Sequence, residues 1–555
     1  MAPTEPAARR WREPAARYAG LAATTLMAVL SWWVGALPWQ HPAQLSPAVP
    51  LLRGPAWHGV GVGLWVAATA VLVTAWLLVG RGVREGRVSR RDVLVTAALW
   101  AAPLLLAVPL ASHDVYSYAC QGQAYIAGAD PYRTGPASLP CRWLTATAPI
   151  WRNQPTPYGP IAILISAVAE ADRGPMLLTL ATLRLAAVAG LAMLAVSLPR
   201  LAIRSGRDPA TALWLGLANP VVLIHLVGGA HHDALMAGLT VAGLTVAASG
   251  RAIRAGATVG LAAAVKATAV VVLPFTVLLA LGSRPATGAR AGVAGWARAA
   301  AMVGLAAAAS FGLITLAAGL DLGWMGALPV AHQPISWLSP PTAVGAVVGA
   351  VLSWALAPLG GHLTIPGVVE AARAVALYTL LPVVLVAIWW RTARAGRPWA
   401  GGDPEARVRA IVLGAGAALA ATVALGPVAY PWYAVTPVAV LAAAAGTRTR
   451  RAIAVVLAVL TFVILPDSRN VAILTRWPGM VAEVAALVVL AWWLARRGRR
   501  RAQDGVAGGQ PGAAGGEPGV AGSQPGAAGG QPGAGAGTNS APISSAGSGG
   551  TRWKP

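Results

Sequence analysis

Apolar residues fill this chain in long continuous runs, and polar residues interrupt them at short, arginine-bearing turns. The first run, 19–38, is followed by 57–80 and 93–111 and, after a polar stretch, by 176–199. Further runs cover 209–226, 228–249, 255–282, 299–319, 341–360, 371–390, 410–427, 431–447, 452–466 and 480–495. About 20 apolar residues suffice for one helical crossing of a bilayer. Alternation over segments of roughly ten residues, the mark of a membrane barrel, is missing. The pattern predicts an all-α polytopic membrane protein with about 12 full transmembrane helices and roughly two or three partial or re-entrant ones.

Two runs do not fit a single crossing. Segment 255–282 begins and ends beside basic clusters, and Pro274 in its middle predicts a break there. Segment 341–360 is expected to be a half-helix, because 371–390 must end at Arg391 on the basic side. Three regions follow: a short leading segment 1–18, a membrane domain 19–495 with a long polar loop at 112–158, and a tail 496–555. The tail is basic at first, then repeats Gln-Pro-Gly-Ala-Ala-Gly-Gly with a period of seven residues. Pro and Gly stand where a coiled coil needs apolar residues, so disorder is expected.

Composition confirms the membrane class: 56% of residues are hydrophobic and 11% charged, against about a quarter charged in a soluble domain. The mean hydropathy is +0.62. The net charge is +24, from 42 basic and 18 acidic residues. Its placement speaks against a nucleic-acid partner, since arginines gather in turns such as Arg200, Arg204, Arg207 and Arg448, Arg450, Arg451. Basic short loops mark the cytoplasmic face of an inner (plasma) membrane, which puts both termini inside and loop 112–158 outside. No cleavable signal peptide is evident. Cys120 and Cys141 both fall in that outer loop, where a disulfide and two free buried thiols are equally compatible with the sequence.

Ionisable groups at membrane depth are costly and therefore mark candidate sites. They gather on the outer side, first in Ser112-His113-Asp114-Val115-Tyr116-Ser117-Tyr118 and then in Asp130-Pro131-Tyr132-Arg133 and Tyr158-Gly159-Pro160. Asp114 follows the end of a crossing, so a carboxylate there can accept a proton from a hydroxyl beside a lipid-borne group. The plainer reading makes Ser112 or Asp114 a helix cap.

These motifs resemble the GT-C class of polyprenyl-phosphate-sugar glycosyltransferases. Asn219-Pro220 through Gly228-Gly229-Ala230-His231-His232-Asp233, with Val265-Lys266-Ala267-Thr268 and Tyr430-Pro431-Trp432-Tyr433, resembles the actinobacterial polyprenol-phosphomannose-dependent α-1,6-mannosyltransferases of lipomannan assembly. The likeness runs over roughly 20–495. It implies that Asp114 is the general base in an inverting transfer from polyprenyl-phosphate mannose to a phosphatidylinositol-anchored α-1,6-mannan. It also implies neither metal nor cofactor, and no obligate protein partner is inferred.

The departing phosphate needs positive charge or hydrogen-bond donors, for which Lys266, Arg133, His231 and His232 are candidates. Adjacent histidines point different ways on a helix and lack an evident third ligand, which weighs against zinc. Asp233 serves equally as a helix cap, and Lys266 as a residue snorkelling to the interface. Arg184, midway along 176–199, requires a partner or a watery cavity. Tyr116, Tyr118, Tyr132, Tyr158, Trp432 and Tyr433 suit either sugar stacking or the interfacial aromatic belt. His332 and Trp337 occupy the loop where GT-C enzymes contact the lipid phosphate, and His113 adjoins the base. Within the class, transfer of another polyprenyl-linked sugar such as arabinofuranose is the nearest rival. A lipid-linked-sugar transporter is disfavoured, because loop 112–158 has no counterpart in the second half.

Overall fold

A computed structural model describes residues 12–37, 55–282, 292–328, 335–359, 363–395 and 403–507. The chain divides into two units, Met1–Leu490 and Ala491–Pro555. The seven-residue repeats of the tail and His332 lie outside the described residues. The longer helices are α1 (Arg12–Val34), α2 (Pro55–Arg84), α3 (Arg90–Leu104), α4 (Asp114–Ile126), α5 (Pro160–Glu170), α6 (Met176–Arg204), α7 (Pro209–Gly216), α8 (Asp233–Ala247) and α9 (Ala252–Val265). They continue as α10 (Leu273–Gly282), α11 (Val293–Ala317), α12 (Pro340–Leu356), α13 (Ile365–Val375), α14 (Leu381–Ala395), α15 (Pro404–Ala424), α16 (Val435–Ala442), α17 (Thr447–Thr461) and α18 (Arg476–Ala507). The strands Ile464–Leu465 and Arg469–Asn470 pair as a small antiparallel hairpin.

Helices start where the sequence supplies a side-chain acceptor and, often, a proline in the first turn. Ser89 and Asp92 form a reciprocal capping box on α3. Asp208 accepts from Ala210 and Thr211 at the start of α7, and Asp403 from Glu405 at the start of α15. Small residues then let helices approach closely, as membrane interfaces favour. Gly190 of α6 lies against the backbone of Ala234 in α8, and Gly238 against Gly190 in return. Gly256 and Gly260 of α9 press on Val303 and Ala307 of α11.

Seven helical stretches among the described residues are long and apolar enough to cross a membrane: 56–84, 176–204, 293–317, 340–359, 365–395, 404–424 and 476–497. Several runs expected to be full crossings are built from shorter helices instead. The run 209–249 is α7, a break at Asn219-Pro220, a π-helical stretch Val222–Gly228, and α8. Asn219 holds the break, donating to Leu215 O at 2.8 Å and accepting from Val222 N at 3.0 Å.

The run 255–282 is broken as expected, but at Lys266 and not at Pro274. Lys266 adopts extended backbone (φ −153°, ψ 126°) between α9 and a 3-10 turn, Ala267–Val272. Pro274 sits in the first turn of α10, where its missing N–H costs nothing. The run 341–360 is a continuous helix rather than a short half-helix, but it doubles back. Gly345 and Gly349 lie against Val369 and Ile365 of α13, and Arg373 Nε donates to Thr342 at 2.9 Å. Ser339 and Thr342 are in turn tied to the carbonyls of Gly426 and Pro427, just past the end of α15. The α12–α13 hairpin therefore returns the chain to the level at which it left.

Contacts sort the turns into two ends. At one end Arg204 reaches Ala248 O, Arg207 reaches Ala444 O and Arg409 reaches Ser205 O, so the basic turns after α6, α8 and α16 meet the start of α15. Asp114, the His231-His232 turn and Lys266 lie at the opposite end of the same helices. Arg184 is explained here: its guanidinium, 4% exposed, donates to Leu105 O, Val227 O and Gly228 O at 2.8–3.1 Å. It satisfies carbonyls released where the π-helical stretch ends, a role only a charged fork of donors can fill at that depth.

The long polar loop 112–158 is ordered by buried polar groups. Cys120 and Cys141 form a disulfide, with Cα atoms 5.5 Å apart, which decides between the two readings of the sequence. Beside it the buried Glu170 accepts from Gln123, Arg142, Trp143 and Thr179 at 2.5–3.2 Å. Tyr116 is 2% exposed and donates to Ala36 O at 2.8 Å, locking α4 onto the end of the first helix. Closing a loop with 21 residues of separation contributes about 3 kcal/mol in the chain-entropy model. Cys141→Ser is therefore expected to lower the melting temperature of the detergent-solubilised protein by several degrees and to speed proteolysis between α4 and α5. Unchanged melting and proteolysis would contradict that role.

Candidate active site

Four chain segments converge on one polar cluster at the end away from the basic turns. The first is the N-terminus of α4, which carries Asp114 in its first turn. The second is Tyr158-Gly159-Pro160. Gly159 N donates to Val265 O at 3.0 Å, and a side chain at Gly159 would strike the backbone of Ala264. Only glycine lets that strand of chain dock on the end of α9. The third is the turn before α8, where Ala230 takes a left-handed conformation (φ 52°) and turns His231 inward. The fourth is Tyr430-Pro431-Trp432-Tyr433, a 3-10 turn leading into α16.

Asp114 is partly buried, with 14% of its side chain exposed. Its Oδ1 accepts from Trp151 Nε1 at 3.1 Å, and its Oδ2 lies 3.9 Å from His231 Nδ1. Burial pushes the Asp114 carboxyl up to about 6, against the opposing pull of the Trp151 hydrogen bond and the nearby Lys266 and His113 charges. That suits a group that must take and release a proton near neutrality. Asp114 also stands at the first helical position, but its carboxylate makes a side-chain contact to Trp151 and no capping bond to α4. The cap reading of Asp114 is thus not what its contacts support, whereas Ser112 Oγ does accept from Asp114 N at 3.1 Å.

Opposite Asp114, Lys266 Nζ donates to Asp233 Oδ1 at 2.8 Å and rests 3.9 Å above the ring of Tyr433. The pair joins the broken end of α9 to the first residue of α8. Asp233 Oδ2 is buried without a hydrogen-bond partner. Tyr118 OH bridges Tyr158 OH at 3.1 Å and His231 Nδ1 at 3.0 Å. His232 packs edge and face against Tyr118 and Tyr158, with centroids at 4.3 and 5.6 Å. Trp432 is stacked between His231 at 4.1 Å and Tyr430 at 4.7 Å, so neither of its faces is free for a sugar. His231 Nε2, both nitrogens of His225 and Trp432 Nε1 are buried and unpartnered beside it. Among the described residues no three His, Cys, Asp or Glu side chains converge as a metal ion would require.

The sequence therefore named most of the cluster: Asp114, Tyr118, Tyr158, His231, His232, Asp233, Lys266, Trp432 and Tyr433 come together. Others stand apart. Tyr116 and Arg184 hold the scaffold, as described above. Arg133 is 70% exposed and paired with Asp130 at 2.9 Å and Asp321 at 2.5 Å, while Tyr132 packs beneath it against Gly323. Trp337 donates to Thr475 Oγ1 at 3.0 Å and covers Gly479. His113 contacts the C-terminal hairpin, with Nε2 2.8 Å from Asp467 Oδ1. Sequence reasoning missed Trp151, Tyr430, His225 and Asp467. Tyr430 and His225 lie within the motifs that carry the family resemblance, but nothing local flags Trp151 or Asp467.

Most of the chain is similar to known proteins. Residues 17–282 match the family described as "Alpha-(1->6)-mannopyranosyltransferase, N-terminal domain", and 341–497 match the "MptB C-terminal domain". The chain is 35% identical to alpha-(1->6)-mannopyranosyltransferase A of Mycobacterium tuberculosis over 430 residues, 75% of either chain. It is 31% identical over 469 residues to a probable alpha-(1->6)-mannopyranosyltransferase of Mycolicibacterium smegmatis, covering 78% of this chain and 80% of that one. A mannopyranosyltransferase A of Corynebacterium glutamicum is 31% identical over 399 residues, covering 68% and 78%. No solved structure matches. The chain belongs to the actinobacterial α-(1→6)-mannopyranosyltransferase family and is a membrane mannosyltransferase.

Proposed function

We propose that this enzyme is a GT-C glycosyltransferase that moves mannose from polyprenyl-phosphate mannose to an α-1,6-mannan on a phosphatidylinositol anchor, at the outer face of the plasma membrane. The observation that carries the reading is the pairing of one proton-accepting carboxylate, Asp114, with the Lys266–Asp233 ion pair in a single pocket. The basic turns at the far end of the bundle support an outward-facing pocket and cytoplasmic termini.

Depth supports a lipid-borne donor. At 1.5 Å per residue, α8 and α9 rise only about 21–23 Å from their basic ends, against a hydrocarbon core of about 30 Å. Lys266 and Asp233 accordingly sit below the outer surface, where a phosphate on a polyprenyl chain arrives from within the leaflet. Lys266 has three N–H groups and commits one to Asp233. The remaining two face the charge that builds on the departing phosphate.

In this reading the acceptor hydroxyl lies against Asp114. As its oxygen attacks the anomeric carbon, its proton passes to Asp114 Oδ2, and the bond from that carbon to the phosphate oxygen breaks. The mannosyl configuration inverts from β to α, and polyprenyl phosphate leaves with the bonding pair. A phosphate monoester is a competent leaving group without an acid catalyst, so the site supplies charge rather than a proton. Tyr118, Tyr158 and the two histidines offer hydroxyl and ring donors to the sugars.

Asp114→Asn removes the base while keeping its size and its contact with Trp151. Transfer of radiolabelled mannose from polyprenyl-phosphate mannose to a synthetic α-1,6-dimannoside is expected to fall by at least about a hundredfold in membranes, at equal protein insertion and with or without EDTA. Near-wild-type transfer by this variant would remove Asp114 from the mechanism. The pH dependence has a fixed sign. The base works only when ionised, so with its carboxyl raised to about 6 the rate should climb from pH 5 and level above pH 7. Rates that are flat between pH 5 and 7, or that fall across it, would contradict the assignment.

A further inference from the structure

Asp114 is preceded by a histidine whose surroundings the transfer reaction does not by itself explain. His113 is 1% exposed and stands at the N-cap of α4, with no side-chain bond to the helix it precedes. Its Nδ1 is 2.6 Å from Ala146 O and its Nε2 is 2.8 Å from Asp467 Oδ1. A carbonyl and a carboxylate both accept hydrogen bonds, so both ring nitrogens donate. An imidazole that donates twice carries a positive charge. The backbone is held as well, since His113 N donates to Ser468 Oγ at 3.0 Å.

The partners come from far along the chain. Asp467 and Ser468 form the turn of the C-terminal hairpin, and both have left-handed backbone, with φ of 60° and 58°. Two adjacent non-glycine residues in that region are unfavourable, and such geometry persists where the side chains are needed. Here both side chains reach the same residue, His113. The hairpin lies in the stretch matched by the C-terminal family domain, whereas His113 and Asp114 lie in the N-terminal one.

We propose that His113 and Asp467 form a positioning pair for Asp114: Asp467 holds His113 as a doubly donating cation that fixes the start of α4 and keeps the neighbouring base ionised. Neither residue touches substrate in this account. The inference rests on Asp114 being the base. The charged and titratable groups facing Asp114 are His113 and Lys266, which favour its anion, Asp233, which opposes it, and His231 at 3.9 Å. Trp151 donates to it, and Tyr118, Tyr158 and Tyr430 surround it as neutral phenols. His113 itself faces Asp467, the Ala146 carbonyl and the ring of Tyr116 at 5.7 Å.

The test is the pH profile of mannose transfer by the full-length protein in membranes, for wild type, His113→Asn and Asp467→Asn. His113→Asn retains a donor toward Ala146 O but loses the charge. Asp467→Asn keeps the shape and the acceptor oxygen, and carries the test if the first variant does not fold. Both should shift the acid limb upward by about one pH unit, which means about a fivefold loss at pH 6 shrinking to under about twofold at pH 8. The KM for the dimannoside should stay within about twofold of wild type. Equal losses at every pH with an unmoved limb would reduce the pair to scaffolding and overturn the proposal, as would wild-type profiles in both variants. A wild-type enzyme without an acid limb, or an active Asp114→Asn, would instead overturn the base itself and this inference with it.

Discussion

The site depends on the ion pair between Lys266 and Asp233, because it joins the facing ends of two short helices. Backbone that is not helical at membrane depth must find partners within the protein. The chain breaks at Lys266 and again before Asp233, and each break exposes an end of a short helix to the other. A 2.8 Å contact between their side chains joins those ends and neutralises two charges that neither lipid nor water could serve there. Because α8 and α9 are short, the proposed function places the pair and the residues stacked on it below the membrane surface. In the proposed transfer, that location brings the carboxylate of Asp114, the ammonium group of Lys266 and a lipid-borne phosphate together.

The surrounding scaffold meets the remaining demands of such a break. Arg184 takes the Val227 and Gly228 carbonyls at the end of the π-helical stretch and Leu105 O just past α3, which pins the segment leading into the His231-His232 turn. The long polar loop 112–158 is held as firmly, by the Cys120–Cys141 disulfide, the many donors on Glu170 and the docking of Gly159 on α9. The Trp432 sandwich between His231 and Tyr430 removes a surface on which a sugar would otherwise stack. In the proposed transfer, sugar contacts fall to the phenols and the histidine nitrogens.

Much of this was legible from the residues alone. Hydropathy runs marked the membrane class, and the arginine turns do gather at one end of the bundle. Polar residues in apolar surroundings are rare enough that Asp114, His231, Asp233 and Lys266 stood out one by one. Run length was a poorer guide. It did not separate a single crossing from the broken pieces of 209–249, nor from the α12–α13 hairpin that returns on itself. Pro274 misled because a proline is harmless in a first turn, and the break fell eight residues earlier, at Lys266. Trp151 and Asp467 were invisible for a different reason. Their importance comes from contacts with Asp114 and His113, 37 and 354 residues away, and no local pattern encodes such a contact.

In the proposed transfer, the donor's phosphate is received by Lys266 at the gap between the two short helices. The most direct test is the KM for polyprenyl-phosphate mannose in Lys266→Gln, measured beside the KM for the dimannoside. Loss of a charge-assisted contact of about 1.5–3 kcal/mol should raise the donor KM by about tenfold or more and leave the acceptor KM nearly unchanged. An unchanged donor KM, or a rise confined to the acceptor, would contradict it.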